Sequence, residues 1–507
     1  MIQDLLTPAL LPLWVAVPLV AAGLLVVLGR RIRLHAVVLT VVIAASTAAG
    51  AWLVWLFSPA GDLPAGAVAH GVGNWPFGVA IPLVADMFSA LMLVVTGLLT
   101  LACTAFAYAS GRAHHEYFAP LLLVLTAGVN GALLTGDLFN LFVFIEVMLL
   151  PSYGLYVLAG PGRGVFRQVS GARLYVTVNL LTSTIFLAGV GFVYATAGTV
   201  NIAELAGKAQ QDGMVAVSAA VVLLALGIKA AVVPVHGWLA RAYPSTSPAI
   251  TALFSGLHTK VAIYGIYRLY AMLFEGDARY LWVGTALFCL TMALGVMGAV
   301  GQSQSRSILA FHMISQIGYI LLGLALFTEL GLVAGVFYLL HHMIVKASLF
   351  LSTGAIEVTY GTDRLDRFTR VARREPLIAA AFFAAALSLA GIPPFSGFVA
   401  KFSLILAAVQ DHQIAAVVVM VLVSVVTLLS MLKIWSGMFW GREPDAGEPA
   451  QGEQAPKVPL GLALPGVVLA GVTLCLGVGG QFLLGLSEVA VEGLMDVSVY
   501  VEAVSTS

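Results

Sequence analysis

The chain has 507 residues, of which 60% are hydrophobic and only 9% charged, with 24 basic side chains against 24 acidic ones. A soluble domain carries roughly 25% charged residues, so this composition excludes one and points to a polytopic membrane protein whose solvent is lipid. The formal net charge of zero, without any basic run, leaves no footprint for a nucleic-acid partner.

The N-terminus, MIQDLLTPALL, lacks a basic n-region and a small-residue cleavage site, so the first apolar segment is expected to stay as a helix. Crossing a bilayer takes about 20 apolar residues. On that criterion fourteen spans are expected, near 9–29, 34–57, 81–109, 117–135, 138–159, 172–198, 214–242, 248–272, 279–301, 306–326, 330–353, 376–410, 412–440 and 459–484. Residues 58–80 read as a Gly/Pro-rich loop, 442–457 (GREPDAGEPAQGEQAP with its flanks) as a flexible polar linker, and the acidic tail from 485 as a short surface helix. Cys103, Cys289 and Cys475 lie in apolar segments without CxxC spacing, so no disulfide framework, iron–sulfur centre, zinc site or other cofactor is indicated.

Basic residues alternate between loops. Arg30, Arg31, Arg33, Arg112, Arg163, Arg167, Arg241, Arg306, the arginines of 364–374, Arg442 and Lys457 fall on one side, against Lys208 and Arg279 on the other. The positive-inside rule then puts both termini outside. The lysines are distributed differently: five of the seven, Lys229, Lys260, Lys346, Lys401 and Lys433, lie inside apolar segments. Arginine effectively never deprotonates, whereas a buried lysine can, so a path that loads and unloads protons needs lysine. The competing reading is structural, with ammonium groups capping helix-end carbonyls or snorkelling to the interface, and Lys433 near the end of its span suits it as well as the other. Intramembrane charge is costly enough that Lys229, Lys260 and Lys401 are read as functional.

Taken in order, GDLFNLFVFIEVMLLPSYGL places Glu146 nine residues after Asp137, roughly 13 Å along a helix and therefore mid-membrane. Asp137 reads as a helix cap, and Pro151 as a backbone break beside the charge. The competing role for Glu146 is a fixed salt bridge to Lys229 or Lys260. In VVLLALGIKAAVVPVHGWLARAYPSTSP, Lys229 precedes Pro234 by five residues, so the helix is expected to break there, with the ammonium near the negative end of the first half and its free carbonyls. TALFSGLHTKVAIYGIYRL carries His258 and Lys260, with Arg268 toward the outer end. In FHMISQIGY, His312, Ser315 and Gln316 suit bound water or, equally, helix packing. FYLLHHMIVKASLFL puts His342 and Lys346 four apart on one face with His341 beside them, and histidine suits relay near neutral pH. SLAGIPPFSGFVAKFSLI breaks a long span at Gly391, Pro393 and Pro394, with Lys401 following. Two broken spans in corresponding places of the two halves are the sequence pointer to a transporter built from repeats.

These six motifs, in this order over roughly residues 80–440, resemble the proton-translocating antiporter-like subunits shared by Mrp-type multisubunit sodium/proton antiporters, the membrane arm of respiratory complex I and related membrane hydrogenases. The resemblance implies an all-α polytopic fold of about fourteen helices, with two inverted five-helix repeats and discontinuous seventh and twelfth spans. The implied divisions are 1–115 (three N-terminal helices), 116–272 (first repeat), 273–441 (second repeat), 442–457 (linker) and 458–507 (last helix and acidic tail). It makes Glu146 the fifth-helix glutamate, Lys229 and Lys260 the seventh- and eighth-helix lysines, His341, His342 and Lys346 the eleventh-helix relay, and Lys401 the twelfth-helix base. M-type complex I subunits usually have glutamate at the Lys401 position, N-type ones lysine at the Glu146 position, and L-type ones a long lateral helix. The combination here is most similar to D-type Mrp subunits.

The expected function is therefore proton translocation in a multisubunit sodium (monovalent cation)/proton antiporter of the cell membrane, alongside other hydrophobic subunits. The alternative is a non-redox proton-pumping subunit of an NADH:quinone oxidoreductase or membrane hydrogenase. A stand-alone small-molecule carrier fits less well, because the inner loops carry no gating motif. No carboxylate cluster forms a dedicated sodium site, which directs the search for the cation route to a partner chain.

Overall fold

The structure is a computed structural model that describes residues 8–158, 165–368, 370–440 and 457–506. Of the sequence-based expectations, Arg163, Arg442, the side chain of Arg167 and the linker apart from Lys457 lie outside the described residues.

The chain is a bundle of apolar helices: α1 (Leu13–Leu28), α2 (Ile32–Phe57), α3 (Met87–Ala109), α4 (Phe118–Leu134), α5 (Leu138–Val157), α6 (Val165–Ala197), α7 (Gly213–Lys229), α8 (Gly237–Ala242), α9 (Pro248–Leu269), α10 (Leu281–Val300), α11 (Ser305–Leu326), α12 (Glu329–Tyr360), α13 (Pro376–Ala390), α14 (Ser396–Gln410), α15 (Ile414–Ile434), α16 (Leu460–Val478), α17 (Gly480–Met495) and α18 (Ser498–Ser505). Among the described residues, eleven helical segments are long and apolar enough to cross a membrane, and α4, α7, α13 and α14 are shorter apolar helices. Apolar side chains on α1, α2, α10 and α15, such as Val27, Val41, Met297 and Leu422, point outward, as lipid-facing helices require. By contrast α9, α11 and α12 are buried almost throughout and form the centre. Helix α12 packs against α3, α9, α11, α13, α14, α16 and α17. A helix enclosed on all sides is where a polar residue meets protein rather than lipid, and among the described residues these three carry two of the four buried lysines and four of the five buried histidines. Close approach is made by small residues: a Cβ on Gly128 of α4 would strike the backbone of Met148 on α5.

Four expectations change. Residues 82–86 are not the start of a span but strand β2, paired antiparallel with β1 (Ala67–Gly71) inside the stretch read as loop. Asp86 sets the boundary: it caps α3 through a reciprocal box with Ser89, which fixes the helix start at Met87. Pro151 does not break its helix, because α5 runs unbroken from Leu138 to Val157 and absorbs one missing N–H donor. The 459–484 span ends at Val478, where Gly479 and Gly480 interrupt it. The tail beyond forms two helices, and α17 is docked rather than superficial, burying Leu483, Leu486, Val491 and Leu494.

At the hairpin end of the bundle a buried ion pair joins α9 to the start of α3. Arg268, at the end of α9, lies 2.5 Å from Asp86, with both side chains buried. Its guanidinium also sits 5.1 Å from the Tyr500 ring of α18 and 5.5 Å from that of Tyr264. Arg268 thus ties α3, α9 and the C-terminal helix together. Arg268→Met keeps the length and leaves Asp86 buried without its partner, a cost of about 3–5 kcal/mol for a buried pair. The expected outcome is a lower thermal midpoint in detergent and reduced accumulation, measured by fluorescence-detected size exclusion after heating. An unchanged midpoint would show that the pair contributes little.

Candidate functional site

Helix α7 ends at Lys229, and the chain then runs irregularly to His236 before α8 begins. Ala231 there adopts φ +62, Val233 N donates to Thr291 Oγ1 at 3.2 Å, and the Ile228 carbonyl accepts from Trp238 Nε1 at 3.0 Å. Helix α13 stops likewise at Ala390, Gly391 turns the chain at φ +89, and α14 starts at Ser396. Both expected breaks, at Pro234 and at Pro393–Pro394, are present.

The two break lysines behave differently. Lys401 lies beyond its break and donates to the Ala390 carbonyl at 3.1 Å, with its Nζ 5.0 Å from the Tyr319 ring centroid. Lys229 lies before its break, and instead of the expected helix-end carbonyl it donates to Asn179 Oδ1 on α6 at 3.3 Å. The cause is side-chain direction. Helical Cα–Cβ bonds tilt toward the N-terminus, so Lys401 reaches back onto the preceding half-helix while Lys229 reaches away from the carbonyls that follow it.

Glu146, half-buried on α5, accepts a hydrogen bond from Ser183 on α6. Among the described residues no ion pair joins it to Lys229 or Lys260. Asp137 caps α5, its carboxylate accepting from Asn140 N at 2.7 Å. On α9, His258 Nδ1 lies 2.6 Å from Tyr175 Oη, and Lys260 is fully buried with its Nζ donating to Thr259 Oγ1 at 3.1 Å. On α12, His341 Nδ1 is 2.7 Å from Ser396 Oγ, which fastens this helix to the second break. His342 and Lys346 are fully buried, and among the described residues neither ring nitrogen of His342 nor the Lys346 Nζ has a hydrogen-bond partner.

The remaining polar residues divide. On α11, His312 Nε2 is 2.8 Å from Ser430 Oγ of α15 and Gln316 Oε1 accepts from Tyr338 Oη at 2.5 Å, while among the described residues His312 Nδ1 and Gln316 Nε2 have no hydrogen-bond partner. Ser315 is used in packing, donating to the Met292 carbonyl of α10 at 2.9 Å. Lys433 donates to the carbonyls of Val300 and Gln302 at 2.8 and 2.6 Å, and so caps the end of α10. Taken by helix, the polar line comprises Glu146 on α5, Lys229 at the end of α7, His258 and Lys260 on α9, His341, His342 and Lys346 on α12, and Lys401 on α14. The reading from sequence missed Tyr175, Asn179 and Ser183 on α6 and Ser396 on α14. The α6 set was visible only as polar residues at i, i+4 and i+8, beside the threonines Thr177, Thr182 and Thr184 of the same span. Among the described residues, no three His, Cys, Asp or Glu side chains are grouped as a metal ion would require.

Bilayer-length helices with lysine, histidine and carboxylate threaded through their centre define a polytopic membrane protein whose interior is built to handle charge. The family model described as NADH:quinone oxidoreductase/Mrp antiporter, TM matches residues 135–427. The chain is 37% identical over 498 residues to the D-type subunit of the Na(+)/H(+) antiporter of Alkalihalophilus pseudofirmus, covering 97% of this chain and 98% of that one. Among solved structures it superposes on a chain of the Mrp complex from Dietzia sp. DQ12-45-1b with TM-score 0.93 and 54% identity, covering 98% of this chain and 99% of that one. A chain of the membrane-bound sulfane sulfur reductase, an archaeal respiratory membrane complex, matches with TM-score 0.86 and 26% identity, at 98% and 99% coverage. The chain belongs to the NADH:quinone oxidoreductase/Mrp antiporter transmembrane family.

Proposed function

We propose that this chain is the D-type, proton-translocating subunit of a multisubunit monovalent cation (sodium)/proton antiporter. Its proton path follows Glu146, Lys229, His258, Lys260, His342, Lys346, His341 and Lys401, with His312 and Gln316 as side branches. Ser315 and Lys433 serve structure rather than transport. The observation that carries the path is the run of buried polar atoms at its centre that have no hydrogen-bond partner among the described residues: His258 Nε2, both nitrogens of His342, Lys346 Nζ, His312 Nδ1 and Gln316 Nε2. An unpaired buried polar group costs about 1–3 kcal/mol, so such a density of them is tolerated where internal water and protons pass. The identity to an antiporter subunit over nearly the whole chain supports the antiporter reading.

Counting α4 and each broken pair as one crossing gives fourteen, divided as 1–115, 116–272, 273–441, 442–457 and 458–507, with the two middle parts as inverted repeats. Both termini lie outside the cell membrane and the arginine-rich end inside. The partners are further hydrophobic subunits and membrane lipid. Neighbouring subunits cover the half-buried Glu146 face, since a mid-membrane carboxylate does not face lipid.

The likeness to a chain of an archaeal respiratory complex keeps a second reading, a proton-pumping subunit of a redox complex, in view. Affinity purification of the tagged chain from its own membranes tests the choice. Small hydrophobic subunits and sodium-dependent proton exchange on reconstitution are expected; flavin and iron–sulfur subunits in the preparation would overturn the antiporter reading.

A further inference from the structure

Helix α6 presents one stripe to the first half of the polar line. Tyr175, Asn179 and Ser183 are spaced by four residues, all buried, and each meets a different member of the path. Tyr175 Oη lies 2.6 Å from His258 Nδ1 and 3.1 Å from Ser152 Oγ of α5. Asn179 Oδ1 accepts from Lys229 Nζ at 3.3 Å, and its Nδ2 donates to the Tyr175 carbonyl at 2.8 Å. Ser183 donates to Glu146. One helix thus supplies a neutral partner to a carboxylate, an ammonium and an imidazole that would otherwise turn to one another.

The orientation of the amide matters here. Asn179 Nδ2 is fixed on the carbonyl one turn back, which points Oδ1 at the lysine and keeps the amide from flipping. A carboxylate and an ammonium left alone in a low-dielectric interior attract strongly and close on each other. In this chain Glu146 and Lys229 are instead each held by a side chain of α6, one turn apart. We propose that Asn179 is a positioning residue for proton transfer: together with Ser183 it holds the Glu146–Lys229 pair open, so that the Lys229 ammonium stays free to pass its proton toward His258 rather than lock onto the carboxylate. Tyr175, whose carbonyl holds the Asn179 amide and whose hydroxyl meets His258, fixes the imidazole that receives it.

This inference rests on the reading of Glu146 and Lys229 as proton carriers, and the experiment is arranged to separate the two. The whole antiporter, with its partner subunits, is expressed in a host lacking sodium/proton antiport. Exchange is followed in everted vesicles as collapse of the pH gradient on adding sodium, from pH 6.5 to 9.5, with complex levels checked by immunoblot. At equal complex level, Asn179→Ala is expected to lose about tenfold in rate, the loss of a hydrogen bond to a charged group, and a loss below about threefold overturns the proposal. Asn179→Asp provides the readout that packing alone would not move. Among the described residues the titratable groups that act on Lys229 are Glu146 from α5 and His258 from α9, and a carboxylate at position 179 adds a third on α6. It grips the ammonium more tightly than an amide, so release needs fewer protons in solution and the activity profile moves about one pH unit to the alkaline side. A profile that superimposes on that of the unaltered complex overturns the proposal even if Asn179→Ala is inactive or fails to assemble. Lys229→Ala and Glu146→Gln are run beside these variants. If both retain exchange, the reading of the path itself fails; if both are inactive while the Asn179 variants behave normally, only the positioning role fails.

Discussion

Lys229→Arg is expected to reduce sodium-dependent proton exchange to the background of the vesicles while the complex assembles at its normal level. The swap keeps the positive charge at the end of α7 and adds hydrogen-bond donors, so Asn179 Oδ1 still has a partner. A residue needed only for charge balance against Glu146 would therefore tolerate it. What arginine cannot do is release the proton: with a pKa above about 12, less than roughly one molecule in ten thousand is neutral at pH 8. Guanidinium is bulkier than ammonium, and Lys229 stands in a packed environment next to Ala230 and Ala231, which are fully buried. Lys229→Ala is the companion that removes this objection, since it relieves crowding and also removes the proton site. Loss in both variants, with immunoblots showing normal amounts of the complex, is the expected result. Robust exchange by the arginine variant would refute proton cycling at this position and return Lys229 to a structural role.

Legibility in the sequence followed the strength of the physical constraint behind each feature. Lipid imposes length and apolarity, so helix positions could be read directly, and proline and glycine imposed the two breaks, at 230–236 and 391–395. Intramembrane lysine and histidine are rare enough that Lys260, His342 and Lys346 stood out, and the structure buries all three at the centre. Features that depend on a partner in space were hidden. Pro151 looked like a third break, yet the helix passes through it. The β1–β2 hairpin was missed because IPLVAD reads as apolar, and only the capping box at Asp86 and Ser89 separates strand from helix. For Lys433 and Ser315 the sequence left a structural and a functional reading side by side, and it takes the carbonyls of Val300, Gln302 and Met292 to show that they close helix ends and helix contacts. Asn179 and Ser183 were hidden for the converse reason: asparagine and serine in a span usually pack helices. Their meaning comes from Lys229 and Glu146, 50 and 37 residues away in sequence.

Glu146→Gln is expected to abolish exchange just as fully, with a rate loss of about a hundredfold or more, the scale of a lost proton-transfer group. The amide keeps the shape of the carboxylate, and Ser183 can donate to the glutamine oxygen as it does to the carboxylate, so α5 and α6 keep their contact. Stability should accordingly change by no more than about 1 kcal/mol, the worth of one neutral hydrogen bond. Loss of exchange at an unchanged complex level would then be a loss of chemistry, and near-normal exchange would remove Glu146 from the path. A second variant decides which chemistry is lost. In Glu146→Gln/Asn179→Asp the negative charge is not removed but moved onto α6, beside Lys229. If Glu146 acts only as a counter-charge that keeps the ammonium in place, the relocated carboxylate restores much of the exchange. If Glu146 itself takes up and passes on a proton, charge balance on α6 is no substitute, because the relocated carboxylate stands on the lysine and not at the half-buried face where α5 meets the outside of the bundle. The double variant is therefore expected to stay inactive in the same vesicle assay, and its recovery would assign Glu146 to electrostatics alone.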